Sequence, residues 1–371
     1  MASTTPTPLP AAPKYQDVAA ALEAEVRVGR WDGGRMPSVR RVARQFQVSA
    51  VTASRALQVL RDKGLVRTVE RSGCFRVAGP TADRWVLLLR TTTGPWQDAS
   101  RAVARAGFEA LARRDPMHLE ADPFPLGPDL APGDVVGPLR EAKERGAKGV
   151  FLLPSRASEA EAATDAAVLA ACRAEGLPVV LLERNLRGAD RALAADLVAL
   201  DDVDGAARCT RHLLDLGRTR VAVIVASPTS SHHDRVAGYL YALHAAGRDA
   251  GGEFAPVVIH QPDGLAPAAA SARLADEVRK RGVDGVVCYA DYAAAGLIAE
   301  LQARGLAVPG DVAVVGFDDL PGVGVTTYAY PAEGIAEQAV RLMRGRLADP
   351  GRPPVKVAVP GRLIVRESTG G

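Results

Sequence analysis

The hydrophobic rhythm of the chain changes near residue 80. Before that point apolar residues recur at helical spacing in short runs. Val39, Val42, Ala43 and Phe46 form one run; Val51, Leu57 and Leu60 form the next, with Ala53 and Ala56 leaving room for close packing. This spacing predicts two short helices. Ser38 and Ser49 stand where a hydroxyl accepts from first-turn amides. Gln47-Val48-Ser49 between them has the length of a helix-turn-helix turn. Tyr15–Arg30 reads as a preceding helix, and Leu65–Arg71 and Cys74–Val77 as two strands of a wing around Ser72-Gly73.

From Trp85 onward, short β-rich runs alternate with longer Ala- and Leu-rich stretches. The expected strands are Val86–Arg90, Gly149–Leu153, Pro178–Leu182, Val221–Val225, Val257–His260, Gly285–Cys288 and Val312–Gly316. The stretches between them, from Ser100–Arg114 to Ala293–Arg304, and the final Glu333–Leu347 read as helices. Such alternation predicts parallel sheets covered by helices on both faces. The fold class expected is therefore α/β: an N-terminal winged helix-turn-helix, then two lobes of parallel sheet flanked by helices with a cleft between them.

Composition narrows the picture. An apolar content of 47% supplies a packed core. No run of about 18 apolar residues occurs, so a membrane span is not expected. The opening MASTTPTPLPAAP lacks the basic and apolar regions of a secretory signal and reads as a disordered tail over 1–13. Cys74, Cys172, Cys209 and Cys288 show no CxxC spacing, which suits reduced cysteines of a cytoplasmic protein and no metal site.

Charge then singles out the first segment. Ten basic residues between Arg35 and Arg76 face only Asp62 and Glu70, a local excess of eight where the whole chain carries +3. An excess of that size attracts a polyanion, and the expected partner is double-stranded operator DNA. The competing reading is a small helical domain with a solvated basic face; turn length, capping serines and wing together favour DNA. Arg40, at the start of the second helix, and Ser49, Thr52, Ser54 and Arg55, on the first turns of the recognition helix, are the expected contacts. Arg71 and Gly73 would act from the wing.

These residues resemble the winged helix-turn-helix of the GntR family: Met36-Pro37-Ser38, Arg40, Val42-Ala43, Val48-Ser49, Thr52, Ala56-Leu57, Leu60 and Gly64-Leu65-Val66. Val39 stands where the family usually has an acidic residue, and Ala50 where it often has an Arg that touches DNA. The resemblance therefore implies DNA binding without an operator sequence.

A second resemblance spans most of 85–367. Asp201-Asp202-Val203-Asp204-Gly205, Ser230-Ser231, Arg235, Asp284-Gly285 through Asp291 and, above all, Val308-Pro309-Gly310-Asp311-Val312-Ala313-Val314-Val315-Gly316-Phe317-Asp318-Asp319 follow in an order similar to the LacI/GalR family, relatives of periplasmic sugar-binding proteins. The resemblance implies a small-molecule effector, a sugar or sugar derivative, held by Arg235 and Asp291. A guanidinium fork and a carboxylate at strand ends can grip vicinal hydroxyls. Trp96 is either a sugar-stacking platform or a core ring, Arg184 a cleft-rim or surface residue, and Asp318 a hinge residue or a ligand contact. Ala290 replaces a common Asn; Tyr328 and Tyr330 fall in a cross-lobe segment. His232-His233 reads as loop, and Asp201-Asp202 as acids at a helix start rather than a metal site.

The domains expected are the tail, a winged helix-turn-helix over 14–79, a linker over 80–84 and an effector-binding and dimerisation domain over 85–371. Within the last, lobe 1 would be 85–198 plus 319–331 and lobe 2 would be 199–318 plus 332–371. The function expected is that of an effector-controlled DNA-binding repressor, a homodimer without membrane attachment or cofactor. The rival class is an enzyme with a sugar-binding core on a DNA-binding head. No P-loop, GxGxxG or GxSxG stands in its required context, so no catalytic residue is assigned.

Overall fold

The computed structural model describes residues 14–27, 36–63, 65–69, 73–76, 83–90, 95–115, 117–127, 129–155, 158–189, 192–248, 255–262 and 264–371; for 95–100 the backbone alone is described. Two compact units divide at Asp83. The expected tail, the tip of the wing with Arg71, the segment Trp31–Gly34 and the loop 91–94 lie outside the described residues.

The first unit is built from α1 (Tyr15–Arg27), α2 (Val39–Gln45) and α3 (Ala50–Asp62), followed by a hairpin of β1 (Val66–Val69) and β2 (Gly73–Arg76). Ser38 and Ser49 cap α2 and α3 by accepting from the amides of Arg41 and Thr52. The turn between them closes through the Val48 amide on the Ala43 carbonyl at 3.0 Å, with Gln47 in the left-handed region at φ 52°. Val18, Leu22 and Val26 of α1 meet Val42, Ala53, Leu57 and Leu60 in one core. Val51, expected in that seam, instead points outward and is 75% exposed. It lies only two positions from the buried Ala53, and a helix turns about 100° per residue, so the two face different sides.

The second unit begins with β3 (Asp83–Leu89), α4 (Pro95–Ala112), β4 (Met117–Ala121), α5 (Val136–Glu144), β5 (Gly149–Leu153), α6 (Glu159–Ala174), β6 (Val179–Leu182) and β7 (Asp196–Leu200). It continues with α7 (Asp202–Asp215), β8 (Val221–Val225), α8 (Ser230–Ala245), β9 (Val257–His260), α9 (Pro267–Lys280), β10 (Gly285–Val287), α10 (Asp291–Ala303), β11 (Ala313–Asp318) and β12 (Thr326–Ala329). The last elements are α11 (Ala332–Ala348), β13 (Lys356–Val359) and β14 (Arg362–Ile364).

Two six-stranded sheets result, ordered β13-β7-β6-β5-β3-β4 in lobe 1 and β14-β12-β11-β10-β8-β9 in lobe 2. Their central strands pair in parallel and are buried on both faces, which is why β5 and β8 read as unbroken apolar runs. Each sheet carries an apolar cluster on either face.

The sheet order corrects the expected division of the lobes. Residues 326–329 pair in parallel with β11 and so belong to lobe 2. Helix α11, expected in lobe 2, buries Ile335, Ala336, Ala339, Val340 and Met343 against Trp85, Leu87 and Val198 of lobe 1, and β13 extends the same sheet beside β7. The chain therefore crosses between lobes three times: after β7, after β12 and after β13. Tyr328 ties these crossings together, donating from its hydroxyl to Asp204 at 3.0 Å and accepting from the Gly361 amide at 2.9 Å. Gly361 has to be glycine, because a Cβ there would stand 2.2 Å from the Ala329 carbonyl oxygen.

Candidate functional site

In the first unit the outward face of α3 carries Val51, Ser54, Arg55 and Gln58, spaced i, i+3, i+4 and i+7. With Val39 and Ala50 they line an open surface groove. Arg40, Arg41 and Arg44 project to solvent from α2 and make no ion pair among the described residues. Arg55 lies over the Tyr15 ring at 5.1 Å. Thr52 is half-buried, its hydroxyl 2.8 Å from that of Ser49, so both are occupied in capping. Arg61 donates to the Thr68 hydroxyl and Lys63 pairs with Glu23 at 2.7 Å. Gly73 sits at the start of β2; the side chain of Arg71 lies outside the described residues.

In the second unit the carboxyl ends of strands from both sheets converge. Glu183 and Leu200 come from lobe 1 and Asp202, Ser231, Arg235 and Asp318 from lobe 2; together with Tyr330 on the second crossing they line one narrow pocket. Arg235 is nearly buried. Its Nε donates to Asp202 Oδ1 at 2.7 Å, another guanidinium nitrogen donates to the Tyr289 carbonyl, and the fork lies 4.0 Å above the Phe317 ring. Burial pushes the Asp202 carboxyl up to about 6, with Arg235 pulling the other way. The hydroxyl of Tyr330 is buried and has no hydrogen-bond partner among the described residues, and burial raises its phenol. Glu183 (φ 63°) and Asp318 (φ 100°) both hold left-handed backbone, the kind of strain that collects at functional sites. A lobe-to-lobe hydrogen bond, from the Asn185 amide to Ser230 Oγ at 2.9 Å, closes the edge of the pocket.

Of the residues expected at the effector, Arg235 and Asp318 are brought together. Asp291 is not. It opens α10 fully buried, accepts from the Leu320 amide at 2.8 Å and packs on Gly316, where a Cβ would come 2.2 Å from its oxygen. Burial raises its carboxyl to about 7. An Asp at a strand-to-helix junction reads the same whether it faces ligand or the neighbouring strand, and here it faces the strand. Arg184 stands behind the pocket, donating to the Pro154 carbonyl at 2.6 Å and to Glu183 at 2.5 Å. Trp96 falls on the first turn of α4, and its side chain lies outside the described residues. His232, expected in a loop, is in α8 and bonds to the Ser227 carbonyl through Nδ1 at 2.8 Å. Asp319 turns away from Asp318 to pair with Arg366 at 2.6 Å, so the two carboxylates do not form a dyad. Among the described residues no group of three His, Cys, Asp or Glu side chains could hold a metal ion.

Residues 14–75 match the model of the bacterial regulatory proteins of the gntR family, and residues 210–369 that of the periplasmic binding protein-like domain. The first match lies in the head and the second in the body, and neither spans half of the chain. The body is 36% identical over 170 residues to the transcriptional regulator GalR of Salmonella typhimurium, covering 44% of this chain and 47% of that protein. It is also 30% identical over 178 residues to CelR of Thermobifida fusca, covering 46% and 51%. The chain spans about half the length of these curated relatives, which are transcriptional regulators rather than enzymes. Among solved structures, a CelR–cellobiose complex superposes with a TM-score of 0.60 at 22% identity, covering 96% of this chain and 99% of that one. A LacI-family regulator from Sanguibacter keddieii gives 0.56 at 28%, covering 79% and 100%.

Within the body, Glu183, Ser231 and Tyr330 are pocket residues that the sequence reading did not assign to the effector. Two signals pointed their way. Glu183 follows the strand Pro178–Leu182 directly, and Tyr330 falls in the cross-lobe segment. In the gntR-type head the missed residue is Val51, whose apolar character argued for the core. No described helix is long and apolar enough to cross a membrane.

Proposed function

We propose that this chain is a DNA-binding transcriptional repressor whose operator affinity is set by a small polyhydroxylated effector, a sugar or sugar derivative, bound between the lobes. The observation that carries this reading is the pairing of two built surfaces in one chain: a capped helix with unopposed cations, and a pocket lined from both lobes. Arg40, Ser54, Arg55 and the wing residues Arg71 and Gly73 meet the duplex, while Ser49 and Thr52 fix the start of the recognition helix. Arg235, Asp318, Glu183 and the unpartnered Tyr330 hydroxyl meet the effector, and Trp96 is kept as a candidate sugar-stacking residue on the sequence reading alone. Asp291 and Arg184 support the pocket from behind.

The mechanism is a population shift. Effector contacts both lobes, favours one arrangement of the three crossings, and so changes how two heads of a cytoplasmic homodimer engage a two-fold operator. The coupling cannot exceed the effector's differential affinity for the two arrangements.

A thermal-shift panel of mono- and disaccharides tests this directly. At least one sugar is expected to raise the melting temperature of the full chain. That shift should vanish in Asp318→Asn and Tyr330→Phe and survive in Arg40→Ala. A shift that persists in both pocket variants would overturn the assignment of the site.

A further inference from the structure

Val51 is a β-branched apolar residue, 75% exposed on the first turns of the recognition helix. Nothing in the packing of the head requires it. The core of that unit is completed by Ala53, Ala56, Leu57 and Leu60 on the opposite side of the same helix. Helix propensity does not favour it either, since Val is a poorer helix former than Ala or the polar residues that suit an exposed site. The position therefore carries an apolar side chain at a cost to the free head.

Its neighbours say what it faces. Ser54 and Arg55 share its side of α3, Ala50 and Val39 extend the apolar spot, Arg55 brings a cation to the groove itself, and exposed Arg40 follows Val39 directly in the chain. The groove thus pairs a small dry centre with a cationic rim. A duplex offers the complement: phosphates at the rim, and in the floor of the major groove one apolar group, the 5-methyl of thymine. A β-branched side chain suits that contact because a helix holds its χ1 in a single rotamer, so two methyls project at a fixed place without entropy lost on binding.

We propose that Val51 reads a thymine 5-methyl group in the major groove and so determines part of the operator sequence. The inference rests on the DNA-binding reading above. It also accounts for the alanine at position 50, since a bulky cation there would crowd an apolar contact one residue away.

The test uses the full chain and duplexes selected by it from a randomised pool. Each thymine of a selected site is replaced singly by deoxyuridine, which removes the methyl and leaves every hydrogen-bonding group. At one thymine or more, affinity is expected to fall about fourfold, the equivalent of about 0.8 kcal/mol for one buried methyl. In Val51→Ser that penalty should drop to nearly nothing, while in Arg55→Ala overall affinity falls and the penalty stays. Because Val51 is exposed, its replacement leaves the core intact, and the binding of Val51→Ser to the deoxyuridine duplex reports that directly. Equal affinity for thymine and deoxyuridine at every position would overturn the proposal while leaving DNA binding standing. So would a penalty unchanged in Val51→Ser. Failure to select any duplex would overturn the DNA-binding reading and this inference with it.

Discussion

Head and body use arginine in opposite ways. In the head, Arg40, Arg41 and Arg44 stand in solvent without an acid partner among the described residues. In the body four guanidinium groups are drawn in and paired: Arg90 with Asp165 at 2.5 Å, Arg235 with Asp202 at 2.7 Å, and Arg346 and Arg352 on the two oxygens of Asp196 at 2.9 and 2.8 Å. A free surface cation gives long-range attraction to a polyanion and little stability. A buried pair gives no long-range field, but it fixes the orientation of both groups and is costly to break. The same side chain thus serves as an attractor in one unit and as a positioned fork in the other.

Breaking a buried pair is the largest expected effect. Asp202→Ala removes the carboxylate bonded to the Arg235 Nε inside the body and should destabilise it by about 3 kcal/mol in urea titration, the low end for a broken buried pair because Asp318 and Glu183 still face the guanidinium. The double replacement Asp202→Leu with Arg235→Met should recover part of that loss. If the single variant costs less than about 1 kcal/mol, the pair is not the organising contact described here.

Titration sharpens the contrast next. The folded carboxyl of Asp291 lies at about 7 and that of Asp202 at about 6, both raised by burial above an unfolded value of about 3.9. A raised carboxyl binds its proton more tightly when folded. Its contribution to stability is therefore complete below about pH 4 and is lost as pH rises through the folded value. Body stability should decline between about pH 4 and 7, by at most about 1.4 kcal/mol per pH unit for each group, and level off above the folded value of Asp291. Asp291→Asn keeps an acceptor for the Leu320 amide and should flatten that decline. A profile identical to that of the parent protein would contradict the buried, raised carboxyl.

Smaller effects belong to the head. Ser49→Ala removes the hydroxyl that accepts from the Thr52 amide and should lower head stability by about 1 kcal/mol, leaving the body's transition in calorimetry unmoved. Arg40→Ala should leave stability unchanged and reduce the slope of log affinity against log salt by about 1.8, one phosphate at about 0.9 for each of the two heads. An unchanged slope would remove Arg40 from the phosphate contacts.

The two units also differ in how far they could be read from the sequence. The head was legible almost residue by residue, because its elements are local: Ser38 and Ser49 cap helices of 7 and 13 residues, and the turn lies between them in the same stretch. Val51 escaped because an apolar residue at nearly the right spacing looks the same on either side of a helix. In the body the parallel strands β5, β6 and β8 stood out as unbroken apolar runs. Strands β12, β13 and β14 did not, since they are short and β13 and β14 lie at sheet edges. Their sheet membership depends on three non-local crossings, which is why 319–331 and α11 were expected in the wrong lobes. Arg235, Asp318 and Asp291 were all named through the order of motifs; the structure lines the pocket with the first two and turns Asp291 to the Leu320 amide, because a motif's order does not say which neighbour a side chain faces. Tyr330 was noticed only as a departure.

The central claim is that DNA and effector are linked through one chain. The direct measurement is the affinity of the full protein for a selected, fluorescently labelled duplex, with and without a sugar that raises its melting temperature. The account predicts a change of about 5- to 150-fold, and by linkage the duplex must change the sugar's affinity by the same factor. A sugar that binds the pocket and leaves DNA affinity unchanged would contradict it.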